Sequence, residues 1–247
     1  MTNNDETLDR PPRPHFDSTQ WSLVVAAQHR SSPDGRLAFA QLCEKYWYPL
    51  YAFVRQSESD IHRARDLTQG FFEQVIEKNY IADADPNRGR FRTFLLTSLS
   101  NFVANEWNKS QAVKRGGGKT HLSLDFARGD QFLRKELASE ETPESLYQRH
   151  WALTLLHEVL EQLRAAHESA GKSQLFEELK QFLVPGAPET YAAIAERLNM
   201  GEGAVRVAVH RLRTRYREAL REEIANTLSN PADVDDEIRS LFNAFSR

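Results

Sequence analysis

Apolar residues recur along this chain at intervals of three and four, the repeat of helices with one buried face. Trp21, Leu23, Val24 and Val25 mark a short helix over 19–28. Ser32-Pro33 is a helix start, with serine as cap and proline in the first turn; Leu37, Phe39, Leu42, Cys43 and Tyr46 follow at helical spacing. Pro49 is expected to kink or end that helix, while Leu50, Tyr51, Phe53 and Val54 carry on its apolar surface. The aromatic group Tyr46, Trp47, Tyr48, Tyr51 and Phe53 reads as core. A third helix is expected over 60–78, buried through Leu67, Phe71, Phe72 and Val75, with Asp66, Gln69 and Glu73 together on its other side. Gly70 costs that helix roughly 1 kcal/mol relative to alanine, so it marks a close approach by another surface. Turn formers fill 79–89, and a fourth helix spans 90–112 around Phe91, Leu95, Leu99, Phe102 and Trp107.

The pattern then lapses over residues 116–142, which begin close to KRGGGKT, and resumes at Thr142-Pro143, a second cap-and-proline start. Stripes through Trp151, Leu155, Val159 and Leu163, and through Leu175, Phe176, Leu179 and Phe182, follow. No segment alternates with the two-residue period of a strand. The expected fold is all-α: a disordered arm over 1–16, a helical domain over 17–115, a flexible linker over 116–142, a second helical domain over 143–228 and a tail over 229–247. Val234, Ile238, Leu241, Phe242 and Phe245 give that tail a short docking helix on an acidic background.

Glu189–Arg217 has a layout of its own. Tyr191, Ile194, Ala195 and Leu198 make one stripe, and Val205, Ala208, Val209, Leu212 and Tyr216 make another. Between them Gly201 and Gly203 supply the chemistry of a sharp corner. Two helices around a tight turn, the second lined by Arg206, His210, Arg211, Arg213 and Arg217, form a helix-turn-helix whose second helix would enter the major groove of DNA. An αα-hairpin in a bundle has the same apolar spacing, so charge has to separate the two.

Charge is far from even. Net charge is −3, yet residues 86–120 carry seven Lys/Arg against Glu106 alone, and residues 203–217 carry five arginines and no acid. Two basic islands in an acidic chain indicate two polyanion contacts. In the first island Arg90, Arg92, Asn101, Asn105 and Lys109 are interleaved with aromatics, which suits a single strand whose bases stack and whose phosphates meet cations. In the second, Arg206, His210 and Arg211 are placed to read bases, and Arg213, Arg215 and Arg217 to meet phosphate.

The remaining chemistry is sparse. The eight histidines are scattered, no His/Cys/Asp/Glu group has metal-ligand spacing, and neither a nucleophile elbow nor a phosphate loop occurs. The chain is therefore expected to be neither an enzyme nor a cofactor carrier. Cys43, the single cysteine, reads as a buried inert thiol. Asp235-Asp236-Glu237 reads as an exposed acidic run. No apolar stretch approaches the roughly 18 residues of a membrane span, and the N-terminus lacks a secretory core, so a cytoplasmic location is expected.

DLTQGFF (66–72) and FRTFLLTSLSNFVANEW (91–107), followed by a linker and a C-terminal helix-turn-helix, resemble the extracytoplasmic-function sigma factors of bacterial RNA polymerase. YWYPLYAFV, DADPNRGRFRTFLL and KRGGGKTHLSLDF are similar to its planctomycete branch. The resemblance runs from about residue 19 to 236. It implies that the first domain binds core RNA polymerase and melts the minus-10 element, and that the second binds the minus-35 element of promoter DNA as duplex. It assigns Asp66, Gln69 and Glu73 to the polymerase, and Arg90, Arg92, Asn101, Asn105 and Lys109 to the melted strand. Members are often held by an anti-sigma regulator, which joins the implied partners. Gly70 stands where the family commonly has Glu, and Asn105 where it often has Asp. A stand-alone helix-turn-helix regulator would leave the first domain unexplained. A helical adaptor without nucleic acid would spread its charge evenly.

Overall fold

The computed structural model describes residues 20–110, 124–133, 141–184, 186–228 and 230–245. All described secondary structure is helical, as the three-four repeat requires, with no strand among the described residues. The expected arm over 1–16 and the KRGGGKT segment lie outside them.

The α-helices are α1 (Gln20–Gln28), α2 (Pro33–Ser57), α3 (Ile61–Glu77), α4 (Phe91–Ser110), α5 (Phe126–Leu133), α6 (Pro143–Ser169), α7 (Ser173–Leu179), α8 (Tyr191–Arg197), α9 (Glu202–Ala225) and α10 (Val234–Asn243). Their starts follow local chemistry. The Ser32 hydroxyl accepts from the Gly35 amide at 3.0 Å, the Asp60 carboxylate from His62 and Arg63 at the head of α3, and Thr142 from Ser145. Each satisfies a donor that the first turn leaves unmatched. Pro49 does not end α2, which runs on to Ser57. Pro49, Leu50, Tyr51 and Phe53 are all buried around the break, so core packing outweighs one lost backbone hydrogen bond.

Two compact units are present. The smaller comprises Val159–Glu218 within the described residues, built around Leu163, Phe176, Phe182, Ile194, Val205, Val209 and Leu212. The larger comprises Thr19–Glu158 together with Ala219–Arg247. Its core holds Tyr46, Leu50, Tyr51, Phe71, Leu99, Trp151 and Leu155. The division thus falls within α6 and α9, not at residues 116–142 as the lapse in periodicity suggested. Side-chain pairs account for part of this. Lys45 of α2 is clamped in the larger unit between Glu158 and Glu223, the latter at 2.7 Å, which draws the end of α9 into that unit. Burial disfavours the Lys45 charge, but the two carboxylates outweigh it and raise its pKa.

Part of the expected linker is also structural. α5 carries Asp130, which accepts a hydrogen bond from the Tyr51 hydroxyl at 2.6 Å and pairs with Arg65 at 2.5 Å. Phe126 packs edge-on against Tyr51, with ring centroids 5.0 Å apart. An eight-residue helix is too short to stand alone, so its stability comes from these contacts. Burial pushes the Asp130 carboxyl upward, and the bonds from Tyr51 and Arg65 outweigh it, leaving the pKa below its ordinary value. The stability this adds is complete above the unfolded value of about 3.9 and is lost as pH falls through the lower folded value. Acid titration followed by circular dichroism should therefore show a loss of stability below about pH 4 that Asp130→Asn flattens. An unchanged acid profile in that variant would remove Asp130 from the account.

Other local readings met their physical reasons. Cys43 is buried, and burial pushes its thiol up to about 12. Gly70 faces α4: a Cβ there would stand 3.3 Å from the Phe102 ring, so the close approach is internal.

Candidate nucleic-acid interfaces

The first basic island does not form one surface. α4 turns 100° per residue, so Arg92 and Asn101, nine residues apart, lie on opposite sides and about 14 Å apart along the axis. Arg92 is 4% exposed; its guanidinium covers the Trp151 ring at 4.3 Å and pairs with Glu237 at 2.5 Å. Arg90 pairs with the second oxygen of Glu237 at 2.7 Å. Burial lowers the Arg92 pKa and the Glu237 charge opposes that shift. The expected strand-binding pair Arg90 and Arg92 is thus occupied within the protein. Glu237, expected in an exposed acidic run, is fully buried, while Asp235 and Asp236 are exposed.

The tail docks, as its spacing foretold. Val234 and Leu241 are buried and Asp235 pairs with Arg221. Phe242 and Phe245 remain exposed. Glu237 could not be singled out from sequence, because its neighbours Asp235 and Asp236 are also acids and only the packing of α10 buries one of the three.

Asn101, Asn105 and Lys109 lie together on the exposed side of α4. Asn105 and Lys109 line an open hollow of about 410 Å³ together with Gln74, Lys78, Tyr80, Phe102 and Asn108. Gln74 donates to the Tyr80 hydroxyl at 2.5 Å, and Lys78 lies 5.9 Å from the Tyr80 ring. Lys109 pairs at 2.9 Å with Glu106. Amide groups, two ammonium groups and two aromatic rings around a space of this size can take a planar polar ring and an adjoining anion. Gln74, Lys78, Tyr80, Phe102 and Asn108 were not in the expected set. The i, i+4 spacing of Gln74 and Lys78 was the available signal, and Gly70 marked a close approach, but that α4 is the surface approaching it was not legible.

On α3, Asp66 is exposed and Gln69 and Glu73 are half-buried along one face. Leu67, Phe71 and Val75 hold the other face in the core, so this polar stripe is positioned by a rigid support.

In the smaller unit α8 and α9 form a helix-turn-helix. The corner is made by Asn199, in the left-handed region at φ 50°. The Met200 amide donates to the Ala195 carbonyl at 2.9 Å and the Asn199 amide to that of Glu196 at 3.1 Å. This is a Schellman turn, in which asparagine can replace the usual glycine. Gly201 and Gly203, expected to make the corner, take no left-handed conformation, and a Cβ on either would meet open space.

Val205, Val209 and Leu212 anchor α9. Arg206, His210, Arg211, Arg213 and Arg217 are all exposed, as is Arg215. Arg206 is held by Glu202 at 2.6 Å and lies 5.1 Å from the Tyr191 ring. Arg213 donates from Nε to the Phe182 carbonyl at 2.8 Å, which ties it to the edge of the helix face. His210 and Arg211 occupy the middle.

No family model matches the sequence, and neither the curated proteins nor the solved structures compared with it give a match. Among the described residues no His/Cys/Asp/Glu group could hold a metal ion, and no helix is long and apolar enough to cross a membrane.

Proposed function

We propose that this chain is a promoter-specificity factor of the sigma type: it binds core RNA polymerase through the Asp66, Gln69 and Glu73 stripe, grips duplex DNA through α9, and receives an unpaired base at the hollow between α3 and α4. The observation that carries the nucleic-acid part is the exposed arginine face of α9 behind a buried valine–leucine seam in a helix-turn-helix. The polymerase part is supported by the sequence resemblance. Phosphate contacts from Arg213, Arg215 and Arg217 would set the register, and base edges would be read by His210, Arg211 and, once it leaves Glu202, Arg206. In the hollow, Tyr80 and Phe102 would supply ring contacts and Asn105 an amide edge. Arg90 and Arg92 are withdrawn from the strand-binding set by their partner Glu237.

The deciding experiment is run-off transcription with core polymerase, with and without the protein. Promoter-dependent transcripts that require it are the expected result. Duplex binding that neither needs core nor yields transcripts would favour a stand-alone regulator instead. Within the DNA reading, Arg211→Ala should weaken duplex binding by about 1–3 kcal/mol if its contact is bidentate to a guanine. Unchanged affinity and sequence preference in a footprinting titration would remove Arg211 from the reading set.

A further inference from the structure

The middle of the exposed α9 face contains a residue that neither charge nor the fold explains. Val207 is 51% exposed although the residues two before and two after it, Val205 and Val209, are buried. At 100° per residue, Gly203, Val207, His210, Arg211 and Thr214 share one sector of the helix, opposite Leu212. Valine forms helices less readily than the alanine, lysine or glutamine a solvent face usually carries, because χ1 is restricted against the preceding turn. Gly203, one turn earlier, is equally unrequired: a Cβ there would meet nothing and its backbone is not left-handed. Helix propensity is thus given up at Val207, and Gly203 in the first turn leaves the same face bare. Both become intelligible if a second surface comes close to Gly203 and lays an apolar group on Val207.

The flanking charges specify that surface. His210 and Arg211 border Val207 on the side towards the C-terminus, and Arg206 adjoins it. A partner that meets cations at its edges and an apolar group at its centre has the character of a DNA major groove. There the phosphates line the rims, and the 5-methyl of thymine is the apolar group among the base edges. We propose that Val207 recognises a thymine by packing its isopropyl group on that 5-methyl, and that Gly203 lets the duplex approach. The assignment rests on the DNA reading of α9 and adds to it a specificity-determining residue of a different chemistry from the arginines.

The test replaces thymine by uracil, which removes the methyl and nothing else. Duplexes bound by the full chain, alone or with core polymerase, are selected from a randomised pool, and each thymine of the selected site is then substituted in turn. One position is expected to lose affinity by about 4-fold, the value of one methyl group withdrawn from water. Val207→Ala should lose a similar factor on the thymine duplex and bind thymine and uracil duplexes equally. Gly203→Val should weaken all duplexes alike without changing helix content. If a site is selected but no thymine is distinguished from uracil, or if Val207→Ala keeps the distinction, the Val207 assignment is overturned while the DNA reading stands. If no duplex is enriched under either condition, the DNA reading of α9 fails and the assignment falls with it.

Discussion

Glu237→Ala lowers the stability of the larger unit by about 3–5 kcal/mol, the usual cost of stranding a buried charge. The side chain is fully buried and its two oxygens meet Arg90 and Arg92. Alanine removes the negative charge and leaves the Arg92 guanidinium where it is, between Trp151 and the rest of the core and 4% exposed. Burial already disfavours that cation and Glu237 is what opposes the effect. The melting temperature should fall by roughly 6–20 °C for a unit of this size. Glu237→Gln, which keeps the shape and one acceptor, should cost less. Combining Glu237→Leu with Arg92→Met should regain most of the loss, because the cost lies in the stranded charge rather than in the absence of an ion pair. Urea titrations of the three variants followed by tryptophan fluorescence make the comparison. An alanine variant within 1 kcal/mol of the parent would show that Arg92 finds water or another acceptor without Glu237.

On the proposed sigma-type function, Asp66→Lys is expected to abolish association with core RNA polymerase and to leave the protein folded. Asp66 is exposed on α3, and that helix is held from its other face by Leu67, Phe71 and Val75. The substitution should therefore change stability by no more than about 0.5 kcal/mol, while it reverses a charge at the N-terminal end of the proposed docking stripe. Opposing a like charge across an interface costs several kcal/mol, enough to remove complex formation at micromolar concentrations. Size-exclusion chromatography with purified core, with circular dichroism on the free variant, separates the two effects. Co-elution of the variant with core would refute the stripe as the polymerase contact, and run-off transcription would then decide whether another surface serves.

The Arg90–Glu237–Arg92 group also shows where sequence reading reaches its limit. RFRTF and its two arginines look like an exposed cationic segment, because neither composition nor spacing carries the distance to residue 237. The same holds for Lys45 with Glu158 and Glu223, and for Asp130 with Arg65. In each case an ionic partner lies far along the chain, so the charge is already neutralised. Asn101, Asn105 and Lys109 are exposed, because their exposure depends only on their position along α4.

By itself the sequence determined the elements and their faces. Helical periodicity and the caps at Ser32, Asp60 and Thr142 are local properties, set by side-chain spacing and by amides within four residues. The exposed arginine face of α9 follows from the same spacing, since burying Val205, Val209 and Leu212 leaves Arg206, His210 and Arg211 no other side. Tertiary structure decided what depends on meetings between distant segments. It continued α2 through Pro49, turned eight linker residues into a docked helix and buried one acid of the run Asp235-Asp236-Glu237. It formed an open hollow between α3 and α4 and put the corner at Asn199, freeing Gly201 and Gly203 from any internal duty. Each of these depends on which surfaces exclude water together, a property of two segments at once that no single stretch of sequence contains.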